Sequence, residues 1–310
     1  MNIKIDEVTD YCTSILSATD PSEIEFKLKV LLQFYKSPSI ALTRGSTFWR
    51  ARKLGNNKSF DNLSDLSYPP KHLVKEGRVN NKNEPVFYLS TRKETALSEI
   101  DAQDNDSIQI AGYRIVSNKE VKFSIVGMFW SVFKNGSIPL ILKDPNNAVL
   151  SFINNLPTDI ALKLIYIDKF FADILSAKCA YQNKYLHTRI LSNMLISKSI
   201  SDAIAYPSIK DNGAYNIAVK PNIADSNFQN ISCSILQIDK KLNYGIYLSK
   251  ITNVAKGFDE SGNFLWIGQK NMNESLNGFH SVFYNQNSEE DEDINSRYLE
   301  RGIFISNDIQ

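Results

Sequence analysis

The chain has 310 residues with 35 basic and 34 acidic side chains, a net charge of +1, and 43% hydrophobic against 22% charged content. That length buries a substantial core, and the balanced charge argues against a protein that grips nucleic-acid backbones, while leaving room for one small anionic ligand held by two or three arginines. The three cysteines, Cys12, Cys179 and Cys233, are far apart and form no CxxC pair, which argues against a disulfide scaffold and a conventional zinc site.

The first forty residues read as two helices. Val8, Cys12, Ile15 and Leu16 recur at helical spacing over 6–18, Asp20-Pro21-Ser22 breaks the chain, and Ile24, Phe26, Leu28, Leu31 and Leu32 continue to about Tyr35. This predicts a helical N-terminal extension, 1–40, packed on the main domain. Its opening stretch, MNIKIDEVTDYC, carries acids where a signal peptide has a basic flank. No apolar run approaches the ~20 residues that span a bilayer. The expectation is a cytoplasmic protein, with signal-less export as an alternative.

From Thr47 the texture changes. FWRA is strand-like, and Asn56 to Asn83 is rich in Asn, Asp, Ser, Pro and Lys, which predicts a long ordered loop of the kind that carries function. PVFYLS (85–90) is a short strand leading into a helix, TRKETALSEI, with a capping-box signature in Thr91 and Glu94. Strands follow at 108–116 and 121–126, then helices at 145–155, 158–177 and 185–198. In the longest, Ile160, Leu164, Ile167, Phe171, Ile174 and Leu175 trace a buried face. Strands return at 203–209, 216–221, 231–238, 244–256 and 263–268, with a hairpin turn over 258–263. Beyond about 270 the chain turns polar, and SEEDED (288–293) is an acidic run. The class is α+β, with strands on both sides of a helical insert.

Several stretches resemble a known family when taken in order: FWRAR at 48–52, YPP at 68–70, EGRVNN at 76–81 and EPVFYLSTRKETALSE at 84–99. A second block, DKFFADI (168–174), YLHTRIL (185–191) and AYPSIKDNGAYNIAVKP (205–221), extends it. Together they resemble the RES domain, named for its Arg, Glu and Ser positions, over roughly 45–255. The resemblance implies a core similar to ADP-ribosyltransferases, a split β-sheet gripping NAD⁺, within a catalytic domain at 41–256 and followed by a C-terminal strand and acidic tail at 257–310. It implies a bacterial toxin of a toxin–antitoxin pair that depletes NAD⁺ by hydrolysis or phosphorolysis. NAD⁺ is then the substrate, phosphate a possible co-substrate, and the partner an antitoxin or immunity protein covering the site. No separate cofactor, metal, nucleic acid or membrane is expected, and an oligomer is possible.

The residue types fit what such a substrate requires: cations for the diphosphate, an aromatic face for a ring, and an anion near a ribose that develops positive charge. Arg50 matches the family's first arginine and has a fork suited to phosphate; Arg52 is its rival, since strand alternation puts both on one face. Gly77 allows a sharp turn from which Arg78 and Asn80 can point together at a ligand. If Phe87 and Leu89 face the core, Tyr88 faces the cleft and stacks on a ring. Glu99 shares a helix face with Thr95 and Ala96 and would hold the ribose. Ser208, after Tyr206-Pro207, is expected to bind ribose or phosphate and not to act as a nucleophile, since no His–Asp pair is spaced to activate it. His72 is the one histidine placed for ligand contact; His187 lies in a helix and His280 in the tail. Asn216 is a candidate supporting residue. Two other readings stay open: a transferase that moves ADP-ribose onto a macromolecule, and a catalytically silent interaction module. A metal-dependent hydrolase is disfavoured because HxxxH, HxH and dense Asp clusters are missing.

Overall fold

The computed structural model describes residues 3–55, 58–141, 143–198 and 201–267. The acidic run at 288–293 and His280 lie outside the described residues. Among those described, ten strands form one sheet in the order β1-β5-β6-β7-β3-β2-β4-β8-β9-β10. They are β1 (Ser39–Leu42), β2 (Thr47–Lys53), β3 (Phe87–Ser90), β4 (Ser107–Ile115), β5 (Val121–Ile125), β6 (Ala203–Pro207), β7 (Tyr215–Val219), β8 (Phe228–Lys241), β9 (Tyr247–Phe258) and β10 (Phe264–Trp266). Neighbours are antiparallel except β5 and β6. The α+β class is therefore observed.

The one parallel pair explains the helical middle. Parallel neighbours need a crossover of a dozen residues or more. Here the crossover is α4 (Met128–Asn135), α5 (Ala148–Asn154), α6 (Thr158–Leu175) and α7 (Leu186–Lys198). Leu164, Ile167, Phe171, Ile174 and Leu175 of α6 are buried as the spacing predicts, but Ile160 is 44% exposed at the first turn. α1 (Ile5–Ser17) and α2 (Pro21–Leu32) pack on α6 and α7 in a single apolar cluster. Asp20 caps α2 through the Glu23 amide at 2.8 Å, with Pro21 at the first helical position. Val8, Cys12 and Ile15 are buried in that cluster, whereas Leu16 and Phe26 are each 63% exposed.

Three elements go beyond the sequence reading: β1, α4 and α8 (Pro221–Asn227). The boundary expected at residue 40 falls inside β1, which pairs with β5, and the one expected at 256 falls inside β9. The capping box expected at the start of α3 (Lys93–Glu99) does not form. Arg92 is the N-cap residue without a side-chain bond, and the Thr91 hydroxyl is instead given to the Tyr215 carbonyl at 3.0 Å, tying the end of β3 to β7.

Register fixes which side chains share a face, because paired residues point the same way. Tyr206 of β6 pairs with Asn216 of β7, Asn216 with Ser90 of β3, Ser90 with Trp49 of β2, and Trp49 with Gly112 of β4. On this face Tyr88, Tyr206 and Ala218 belong with the α1, α2, α6 and α7 cluster, while α3 covers Ala51, Ile108 and Ile110. Ser90 and Asn216 form the polar seam between these two covers. Phe48, Phe87 and Leu89 point to the opposite face, covered by α8, the first turns of α4 and the loop around Leu66.

Candidate functional site

The seam is completed by Glu99, the last residue of α3. Its Oε1 accepts the Ser208 hydroxyl and the Asn216 side-chain amide, each at 2.6 Å. The Asn216 oxygen in turn accepts the Ser90 hydroxyl at 2.8 Å. Oε2 of Glu99 takes no hydrogen bond from any described residue. Glu99 and Ser208 are 109 residues apart in the chain and meet because β6, β7 and β3 are adjacent in the sheet.

Ser208 has no capacity left over. Its oxygen accepts the amides of Lys210 and Asp211, each at 3.1 Å, so its single proton is directed at Glu99. Asp211 holds the 208–214 loop against the helix that carries Glu99. Its carboxylate accepts Arg92 Nη2 at 2.6 Å on both oxygens and the Thr95 hydroxyl at 2.5 Å. Ser208 is thus an orienting group for the carboxylate.

Arg78 is linked to this group through Tyr206, on which Arg78 and Glu99 both act. Its Nη1 donates to the carbonyls of Leu175 at 2.9 Å and Ala177 at 3.1 Å, closing the C-terminal end of α6, where a cation is favoured by the helix dipole. The guanidinium stands 5.6 Å from the Tyr185 ring. Nε and Nη2 give no hydrogen bond to any described residue, so the anchored fork keeps donors that an anion could use.

Tyr88 is half-buried, and its hydroxyl is spent: it donates to Asn80 Oδ1 at 2.7 Å and accepts the Val79 amide at 3.3 Å. Burial raises its phenol above the ordinary value, against the lowering effect of the Val79 amide, Arg78 and Arg50. Asn80 is buried and fully used, giving its amide to the carbonyls of Lys75 and Asn81 at 2.8 Å each. It shapes the loop and does not reach outward. Gly77 is required for space, since a Cβ there would lie 2.4 Å from Asn80 Oδ1, and its φ is not positive.

Arg50 and Arg52 share a face, as alternation predicts, but it is the face opposite Tyr88 and Ser90. β2 and β3 pair only at Trp49 and Ser90. Where they separate, Arg50 Nη1 donates to the Tyr88 carbonyl at 3.0 Å, its guanidinium lies 5.8 Å from the Phe87 ring, and its buried Nε has no hydrogen-bond partner. Burial, the largest influence, lowers its ionisation to about 10. Arg52 bonds the Asp65 carbonyl and lies 4.5 Å from the Phe60 ring. His72 is exposed in the 3₁₀ turn Lys71–Leu73.

The structure thus brings Glu99, Ser208 and Asn216 into direct contact and links Arg78 and Tyr88 to Glu99 through Tyr206. Arg50, though bonded to the Tyr88 carbonyl, and Arg52 project from the opposite face, and His72 is exposed in its turn. Sequence reasoning missed Ser90, Asp211, Tyr206 and the Lys93–Trp49 pair. Lys93 Nζ lies 4.8 Å from the Trp49 ring, and burial pulls its ammonium down to about 8. Alternation along AIAYP already places Tyr206 on one face with Ile204. What the sequence lacks is any sign that this face meets Glu99. Among the described residues no three His, Cys, Asp or Glu are grouped to hold a metal ion.

No protein-family model matches the chain, and neither a curated protein nor a solved structure is significantly similar to it.

Proposed function

We propose that this chain is a RES-type, ADP-ribosyltransferase-like enzyme that breaks the bond between ribose C1′ and the nicotinamide nitrogen of NAD⁺, acting as a toxin that depletes the cell of it. The observation that carries this reading is Glu99: a carboxylate held through one oxygen by Ser208 and Asn216 at 2.6 Å, with no hydrogen bond to its other oxygen from any described residue, and with Glu99, Arg78 and Tyr88 all acting electrostatically on the buried Tyr206. The single β2–β3 pair, with the two strands diverging beyond it, supports the split-sheet comparison. On this reading Glu99 holds the ribose and stabilises its developing cation, Arg78 takes the diphosphate and the Tyr88 ring covers a ring of the substrate. The bond electrons leave with nicotinamide, and an oxygen of water or inorganic phosphate forms the new bond to C1′. An antitoxin or immunity protein is the proposed partner and the bacterial cytoplasm the proposed place of action.

Incubation of the pure protein with NAD⁺, with and without phosphate, and quantification of nicotinamide tests the reading. Release of nicotinamide is expected, with a Glu99→Gln variant slower by about 10²–10³-fold, the usual cost of removing one electrostatic stabiliser. Nicotinamide released only when a macromolecule is present and becomes modified establishes a transferase instead.

A further inference from the structure

Tyr206 lies near the end of β6 and is only 3% exposed. Its register partner is Asn216, whose amide holds Glu99, so its ring rises from the face that carries Ser90 and Tyr88. Three site residues act on its ionisation. Burial is the largest influence, Tyr88 and Glu99 raise the phenol further, and Arg78 opposes them, leaving it well above its ordinary value. At neutral pH the group is a protonated hydrogen-bond donor.

Its hydroxyl differs from those of the buried Tyr35, Tyr113 and Tyr215 and of the half-buried Tyr88. Tyr35 donates to Asp168 at 2.8 Å, Tyr113 to the Leu66 carbonyl at 3.0 Å, Tyr215 to the Val126 carbonyl at 3.3 Å, and Tyr88 to Asn80 at 2.7 Å. Tyr206 gives no hydrogen bond to any described residue. The ring is buried while the hydroxyl oxygen itself is not among the buried atoms left without a partner, so its proton is available to a molecule from outside the protein.

We infer that the Tyr206 hydroxyl is a substrate-binding group that donates to an oxygen of the sugar held by Glu99. The inference rests on the NAD⁺ reading of the site. The sugar is chosen over the rings because Tyr206 faces the residue that fixes Glu99, whereas Tyr88 pairs with Ala218, one step further along the same face. The two tyrosines divide the work: Tyr88 contributes its ring and Tyr206 its hydroxyl.

Tyr206→Phe removes the hydroxyl and keeps the ring. The expected result is a melting temperature unchanged or slightly raised, kcat/KM for NAD⁺ lower by about tenfold, and ADP-ribose binding weaker by about 3–10-fold, the range of one hydrogen bond. Inhibition by nicotinamide should not change. A melting temperature lowered by more than about 3 °C reveals a protein partner for the hydroxyl and overturns the inference. Unchanged kcat/KM overturns it too, and weaker nicotinamide inhibition with intact ADP-ribose binding overturns the assignment to the sugar. If the wild-type protein neither cleaves NAD⁺ nor binds ADP-ribose, the enzymatic reading itself fails, a result obtained before any variant is measured.

Discussion

A serine hydroxyl has one proton to give and two lone pairs to fill, and at Ser208 all three are assigned. The consequence is a carboxylate with one fixed oxygen and one available oxygen, the arrangement a ligand hydroxyl or a developing cation calls for. The same accounting separates Asn80 and Tyr88, which satisfy each other, from Tyr206, whose hydroxyl bonds no described residue. Gly77 is where this local network is most easily broken. A methyl group there meets Asn80 Oδ1 at 2.4 Å and Tyr88 Oη at 3.2 Å. Gly77→Ala is expected to destabilise the protein by about 1–3 kcal/mol, through overpacking and loss of the Tyr88–Asn80 bond, measurable by urea unfolding.

At the scale of elements, α3 and the 208–214 loop act as one unit because Asp211 grips Arg92 and Thr95 on the first turns of the helix whose last residue is Glu99. A slackened grip shifts both ends of the Ser208–Glu99 bond. Asp211→Ala should cost about 1–3 kcal/mol of stability, since Thr95 and Arg92 lose their acceptor. On the proposed reading it should also lower kcat by tenfold or more and move KM for NAD⁺ by less than about threefold, because Arg78 and Tyr88 are held by α6 and the 76–81 loop. Steady-state kinetics beside denaturation separate the two effects: a stability loss with unchanged kcat makes Asp211 purely structural.

Across the whole molecule, one buried carboxylate links three parts of the chain. Asp168 of α6 is 0% exposed and accepts Tyr35 from the N-terminal segment at 2.8 Å, together with the amides of Gly127 and Trp130 at the start of α4, each at 2.9 Å. Burial, outweighing these hydrogen bonds, raises it to about 6 from 3.8. A raised acid binds its proton more tightly in the folded state, so its contribution favours folding at low pH. That contribution declines as pH rises from about 4 through about 6 and stays low above. The drop amounts to about 2–3 kcal/mol. The exposed, lowered carboxylates, Asp101, Asp159 and Asp259, act in the opposite sense, their stabilisation being lost as pH falls below about 4. Unfolding free energy measured from pH 4 to 7 should therefore fall through this window, and Asp168→Asn should flatten the fall.

What the sequence by itself determined is local. Apolar periodicity placed α1, α2, α6 and α7, and alternation placed most strands, because a helix or strand writes its buried face into neighbouring residues. The same rule put Glu99 on a helix face beside Thr95, and Arg50 and Arg52 on one side of a strand. Alternation defines two sides of a strand, however, and does not say which side meets which partner. Only the register of β2 with β3 and of β3 with β7 decided that Arg50 turns away from Tyr88, and that Ser90 and Asn216 stand beneath Glu99. Likewise, short polar residues such as Asp211 and Ser90 leave no periodic trace, and their roles depend on contacts made over more than a hundred residues. The meeting of Glu99 with Ser208 is the tertiary structure's decision, made by the pairing of β7 with both β6 and β3, which lays the serine that follows β6 beside the glutamate of the helix that follows β3.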